Sequence, residues 1–161
     1  MSTKANAFTV ARLIRTTNRG FGQCLQTSLS RMGYSSGMWH YLRVLSEGDG
    51  ITQRELSQKA ETVEPTVMKQ LERMERSGFI TRQRDEVDRR KIRIFLTQAG
   101  RDLFAALSAP AAAIPQAALD GVSQAEIEAT AEVLARIKKN LDAFYDSLVA
   151  EAPYSAAKAS E

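Results

Sequence analysis

The chain has 161 residues, 43% hydrophobic and 25% charged, the make-up of one globular domain with a sizeable core and too short for two separate functional domains. No apolar run approaches the roughly 20 residues that span a bilayer and MSTKANAFTVAR lacks the pattern of a secretion signal, so no membrane partner is expected and a cytoplasmic location is, while the lone cysteine, Cys24, excludes an internal disulfide. The net charge of +3 hides an asymmetry: no acid precedes Glu47, whereas Lys4, Arg12, Arg15, Arg19, Arg31 and Arg43 do, which fits an anionic partner or an uneven solvated surface.

From Phe8 to Leu29 apolar residues recur at Val10, Leu13, Ile14, Phe21, Cys24, Leu25 and Leu29, the three-and-four spacing of one helical stripe. This predicts a long first helix. A bend is allowed at Gly20 and Gly22, since glycine costs roughly 1 kcal/mol against alanine inside a helix. After the turn MGYSSG, a second helix is expected to put Met38, Tyr41, Leu42 and Leu45 inward and to end at EGDG. Thr52 followed by Glu55 is a capping box that opens a third helix, running to about Ala60. Thr62 is the expected N-cap of a fourth, with Pro65 in its first turn, where the missing N–H costs nothing. Val63, Val67, Leu71 and Met74 form its inner stripe, with Pro65, Thr66, Lys69, Arg73 and Arg76 around the other side and Gly78 at its end. Two short helices joined by a tight turn, the second with cations outward, fit a helix-turn-helix unit; an ordinary helical hairpin fits the same residues.

FITRQR reads as a strand, and KIRIFL alternates Ile92, Ile94 and Leu96 on one face with Lys91, Arg93 and Phe95 on the other. The turn-forming DEVDRR between them predicts a two-stranded ribbon with a cationic tip at Arg89, Arg90 and Lys91. Such a tip suits a narrow, strongly negative minor groove, and Asp85, Glu86 and Asp88 stand where carboxylates can hold its guanidiniums. The alternative is a solvated hairpin whose charges neutralise one another. Thr97 is placed to cap a helix to roughly Ala109, with Pro110 and Pro115 expected to break it. A last helix starts at Ser123, boxed by Glu126, and repeats Ile127, Leu134, Leu141 and Leu148 every seven residues, flanked by Ile137 and Phe144. That seam implies a helical partner, either the chain's own first helix or a second copy of the chain. The closing PYSAAKASE is small and polar and is expected to be disordered.

In DRRKIRIFLTQAG, the residues Asp88, Arg90, Leu96, Thr97 and Gly100 spell D-x-R-x5-L-T-x-x-G, which resembles the wing signature of the MarR (multiple antibiotic resistance regulator) family. SSGMWHYLRVLSEG resembles the family's second helix, with Met38 in place of a common glutamine. ITQRELSQKAETVEPTVMKQLERMERSGFI is similar to its helix-turn-helix and wing start, with Pro65 where serine is frequent. The likeness is close over residues 34 to 107. It implies a mainly α fold with a small β-wing, a single domain over residues 1–161. Within it a winged helix-turn-helix DNA-binding lobe would span residues 34–100, dimerisation helices residues 7–31 and 101–149, and a disordered tail residues 152–161. It further implies a homodimeric transcriptional regulator, a ligand-responsive repressor on palindromic double-stranded DNA.

By this resemblance the helix from about Val63 reads the major groove, with Thr66, Met68 and Lys69 nearest the bases and Pro65 on the same surface. Arg73 and Arg76 would meet phosphate, Arg90 would enter the minor groove oriented by Asp88, and Arg89 and Lys91 would add phosphate contacts. Family members release DNA when an aromatic acid or another phenolic fills a crevice beside the dimer helices. Candidates for that crevice are Arg12, Arg15 and Arg19 on one face of the first helix and Trp39, His40 and Arg43 on the second. Cations beside aromatic surface predict an anionic aromatic effector, a carboxylate or its thioester, although such arginines are also commonly just solvated. Two alternatives remain: a redox switch at Cys24, set against a buried, inert thiol, and a winged helix used for protein contacts. His40, the only histidine, lacks acidic or cysteine neighbours for a metal, and no cofactor is expected. One histidine, one cysteine, no nucleophile-elbow phrase and no phosphate loop argue against an enzyme.

Overall fold

In the computed structural model, which describes residues 6–60 and 64–151, Asn6 opens helix α1 (Ala7–Ser30) by accepting the Thr9 N–H on its side chain at 2.9 Å. The helix runs unbroken through Gly20 and Gly22. There follow α2 (Ser36–Glu47), β1 (Ile51–Thr52), α3 (Gln53–Lys59), α4 (Glu64–Arg76), β2 (Ile80–Arg84), β3 (Ile92–Leu96), α5 (Gln98–Ala118) and α6 (Gln124–Glu151). The chain divides into two compact units between Ala118 and Leu119, so α5 belongs with the first unit and α6 with the second. Thr62 and Val63, expected at the start of α4, lie outside the described residues, as does the segment 152–161.

The core forms where the helical stripes meet the sheet. Met38, Tyr41, Leu42, Val44 and Leu45 of α2 pack with Leu56 of α3, Val67, Leu71 and Met74 of α4, and Ile80, Ile94 and Leu96 of the strands. Leu29, Leu103 and Leu107 close it from α1 and α5. Each fully buried leucine stabilises by roughly 1.5–3 kcal/mol. Thr52 caps α3 through the complete box with Glu55, as its spacing predicts. Ile92 departs from its expected inward face: at the far end of β3, opposite Arg84, it is 48% exposed.

The expected two-stranded ribbon is a three-stranded antiparallel sheet in the order β1-β3-β2. Ile51 pairs with Ile94 and Thr52 with Arg93. A strand of two residues is too short to show alternation, so nothing in the sequence pattern announced it. The D-x-R-x5-L-T-x-x-G residues acquire a packing meaning here. Thr97 donates its hydroxyl to the Gly78 carbonyl at 2.6 Å and accepts the Gly100 N–H at 3.0 Å. A Cβ on Gly100 would meet the Phe79 carbonyl oxygen at 2.1 Å, so only glycine lets α5 start that close to β2.

Helix α5 corrects the expectation that Pro110 and Pro115 end it, because it continues through both to Ala118. Each proline deletes one i to i−4 hydrogen bond. The intervening AAAI and following QAA are mostly strong helix formers, and the buried face Leu103, Leu107, Ala111 anchors the helix on the core across the first proline. In the second unit, Ser123 and Glu126 cap α6 reciprocally, at 2.9 Å from the Ser123 N–H and 2.6 Å from its hydroxyl. Among the described residues no helix is long and apolar enough to cross a membrane.

Candidate nucleic-acid interface

Helix α4 turns Val67, Leu71 and Met74 into the core with no exposure at all, which fixes what its other side must present. Stepping about 100° per residue, Lys69, Arg73 and Arg76 centre the outward face, while Thr66 and Met68 fall on its two flanks. Thr66, Lys69, Gln70, Arg73 and Arg76 line a shallow depression of about 390 Å³; Met68, 47% exposed, stands outside it. Arg76 bends back to donate to the Glu72 carbonyl at 3.3 Å. Gln70 was not singled out from sequence, and among the described residues its buried Nε2 has no hydrogen-bond partner. Pro65 lies in the first turn of α4, as its position in the sequence predicts.

The wing is the hairpin of β2 and β3, in register from Ile80 opposite Leu96 to Arg84 opposite Ile92. Its loop closes on itself, the Asp85 N–H donating to Lys91 O at 3.0 Å and the Lys91 N–H to Asp88 O at 2.8 Å. At the tip, Arg90 donates from its backbone N–H and its Nε to Asp88 Oδ1, at 3.2 and 3.1 Å, and Lys91 Nζ lies 3.8 Å from the same carboxylate. The Arg90 guanidinium beside it holds the Asp88 carboxyl below the usual range. Even so, the Arg90 side chain is 91% exposed, pointing a charge into solvent from a backbone fixed by its own acid. Arg89 is exposed nearby and, with Arg84, Asp85 and Glu86, borders a depression of about 340 Å³. Only part of the expected acid and arginine pairing is present: Asp88 takes Arg90, but Asp85 takes Arg93, further down the strand.

The residues expected at an effector crevice separate into two groups. Trp39 and His40 line a cavity of about 660 Å³ together with Asn18, Phe21, Leu25 and Ser108. Trp39 stacks on Phe104 with ring centres 5.1 Å apart. Burial, helped by the neighbouring Arg43 charge, lowers the His40 pKa and favours its neutral imidazole. Arg12, Arg15 and Arg19 are exposed and do not line this cavity, and Arg43 is engaged with Glu47 at 2.8 Å. Among the described residues, no Lys, Arg, Asp or Glu side chain lines the cavity wall. Cys24 also departs from expectation: it is exposed rather than buried, and it borders a second groove of about 550 Å³ between α1 and α5, beside Phe21, Pro110 and Ile114. The apolar stripe it belongs to is only partly used within the first unit.

A family model of the MarR family matches residues 35–92. The uncharacterized HTH-type transcriptional regulator YybA of Bacillus subtilis (strain 168) is 26% identical over 106 residues, 66% of this chain and 71% of that protein. The crystal structure of transcriptional regulator PA3341 is 33% identical with a TM-score of 0.75, covering 83% of this chain and 98% of that one. The S. aureus MepR-DNA complex is 25% identical with a TM-score of 0.74, over 81% of this chain and 96% of that chain.

Proposed function

Since the chain belongs to the MarR family of transcriptional regulators, we propose that it binds palindromic double-stranded DNA as a homodimer and represses transcription until a small aromatic effector releases it. The observation that carries this reading is the pairing, within one lobe, of an Arg90 side chain 91% exposed at the wing tip and a cationic outer face on α4. A helix of that kind fits the major groove, and a narrow minor groove beside it attracts the arginine. The S. aureus MepR-DNA complex, a similar fold solved with DNA, supports the same use of this fold. Two copies must space their α4 helices about 34–36 Å apart to meet successive major grooves. The experiment is a titration of the full chain on duplex DNA selected from its own genome, repeated across salt. Log affinity is expected to fall with log salt at roughly 0.9 per neutralised phosphate, and Arg90→Ala to cost about 1–3 kcal/mol. A flat salt response overturns the DNA reading, and unchanged Arg90→Ala affinity removes the wing from it.

The effector part of the proposal rests on the cavity beside Trp39 and His40, whose size is within the range of ligand sites. A ligand that favours a dimer with another helix spacing lowers DNA affinity by its differential binding energy and no more. With no Lys or Arg among the described residues of the wall, a free carboxylate would lose its hydration without a cationic partner, so the fit is better for a phenolic ring than for the aromatic acid expected from the arginines. A phenol that raises the melting temperature and loosens DNA binding, where the matching benzoate does neither, is the expected result. The exposure of Cys24 favours one second reading, an oxidant-released regulator. Peroxide that releases wild-type protein from DNA but spares Cys24→Ser would establish it.

A further inference from the structure

Asp85 is 7% exposed, one of two buried polar or charged residues among those described, yet it sits at the mouth of a solvent-facing loop. Its Oδ1 accepts the N–H groups of Val87 at 2.9 Å and Asp88 at 2.7 Å, and its Oδ2 accepts Arg93 Nε. The Asp88 N–H, followed by the Arg93 guanidinium, brings the Asp85 carboxyl down to about 2, so it is ionised at any working pH. Asp88, whose backbone Asp85 holds, is in turn the residue that holds Arg90. The other arm of Arg93 reaches across the sheet, Nη1 donating to the Gly50 carbonyl at 2.7 Å.

Gly50 is itself pinned. Its N–H donates to Ile94 O at 2.7 Å, its φ is +77°, and a Cβ there would lie 2.9 Å from the Phe95 ring. The connections therefore run from the body of the lobe at Gly50, through Arg93 and Asp85, to Asp88 and the exposed guanidinium of Arg90. We infer that Arg93 and Asp85 are a positioning pair for nucleic-acid binding, bracing the wing so that Arg90 is presented in one geometry, without touching the duplex themselves. This rests on the DNA-binding reading above. Two of the donor positions of Arg93 are already used, in two directions, by protein acceptors. A lysine would have to meet both acceptors from a single nitrogen, without the planar fork that aims Nε and Nη1 at them separately. A loop braced before binding has less conformational entropy left to lose on the DNA.

The test is a double-mutant cycle on the full-length protein, with a duplex that wild-type protein selects from a random-sequence pool. Arg93→Gln is expected to raise Kd about tenfold, the scale of one lost specific contact. In an Arg90→Ala background the same change is expected to add almost nothing, because it acts through Arg90. Amide exchange at Val87 and Asp88 should quicken in Arg93→Gln, and Arg93→Lys should not restore affinity. Should Arg93→Gln fail to fold, Asp85→Asn carries the same expected non-additivity. Additive losses, or full rescue by Arg93→Lys, would mean that Arg93 meets phosphate directly and would overturn the inference. Unchanged Kd with a lowered melting temperature would overturn it as well, leaving only a structural ion pair. Wild-type protein that selects no duplex removes the DNA-binding reading, and the inference with it.

Discussion

The lobe from Ser36 to Leu96 and the helix α6 carry apolar stripes of similar regularity, and only the lobe covers its own. Leu42, Leu56, Leu71 and Met74 are sealed within the first unit, whereas Leu141, Phe144, Tyr145 and Leu148 of α6 are 49–66% exposed. Periodicity establishes that a face is apolar and leaves open what covers it. Stability of the lobe is a property of one chain; the stripe on α6 gains its energy only against a second surface, and under the homodimer proposal that surface is another copy.

Deleting buried volume gives the largest expected effect. Leu71→Ala should cost about 2–5 kcal/mol in urea unfolding, from lost transfer energy plus the cavity left behind. The loss should be independent of protein concentration, since the packing lies inside one chain. Leu141→Ala should behave in the opposite way. Its effect, about 1.5–3 kcal/mol if the side chain is buried by a partner, should appear as weaker self-association in sedimentation and as a stronger dependence of melting temperature on concentration. A Leu141→Ala protein indistinguishable from wild type in sedimentation would take α6 out of the dimer.

The same contrast separates what was legible in the sequence from what was not. The winged lobe could be read because its signals are local: the Thr52 and Glu55 box, the alternation at Ile94 and Leu96, and the Asp88 to Gly100 phrase. What failed depended on tertiary packing. Pro110 and Pro115 predict a helix end only until Leu107 and Ala111 anchor the turns around them. Arg12, Arg15 and Arg19 share a helix face, yet the aromatic-lined cavity opens beside Asn18 and Phe21 instead. Arg93 read as one more outward residue of an alternating strand. Its role depends on Gly50, 43 positions away, and no spacing rule joins those two.

The smallest effect compares two capping boxes of the same design, one in each unit. Glu55 accepts the Thr52 N–H at 2.7 Å and Glu126 the Ser123 N–H at 2.9 Å. Both carboxyls are held below the ordinary glutamate value, Glu55 chiefly by the Thr52 N–H and Glu126 chiefly by the Ser123 hydroxyl. A pKa lowered by folding means that the ionised form stabilises the folded state. That contribution is complete above the unfolded value near 4.3 and is lost as pH falls through the lowered folded value. Glu55→Gln should therefore melt below wild type at pH 7 and converge with it in acid, and Thr52→Ala should lose about 1 kcal/mol of lobe stability at neutral pH. Glu126→Gln has the same sign, but its readout distinguishes the regions. If α6 draws its stability from a second copy, the change should shift melting most at low protein concentration, where the dimer is weakest, and Glu55→Gln should not show that dependence. Equal shifts at every concentration for both variants would mean that the cap of α6 contributes within one chain, as that of α3 does.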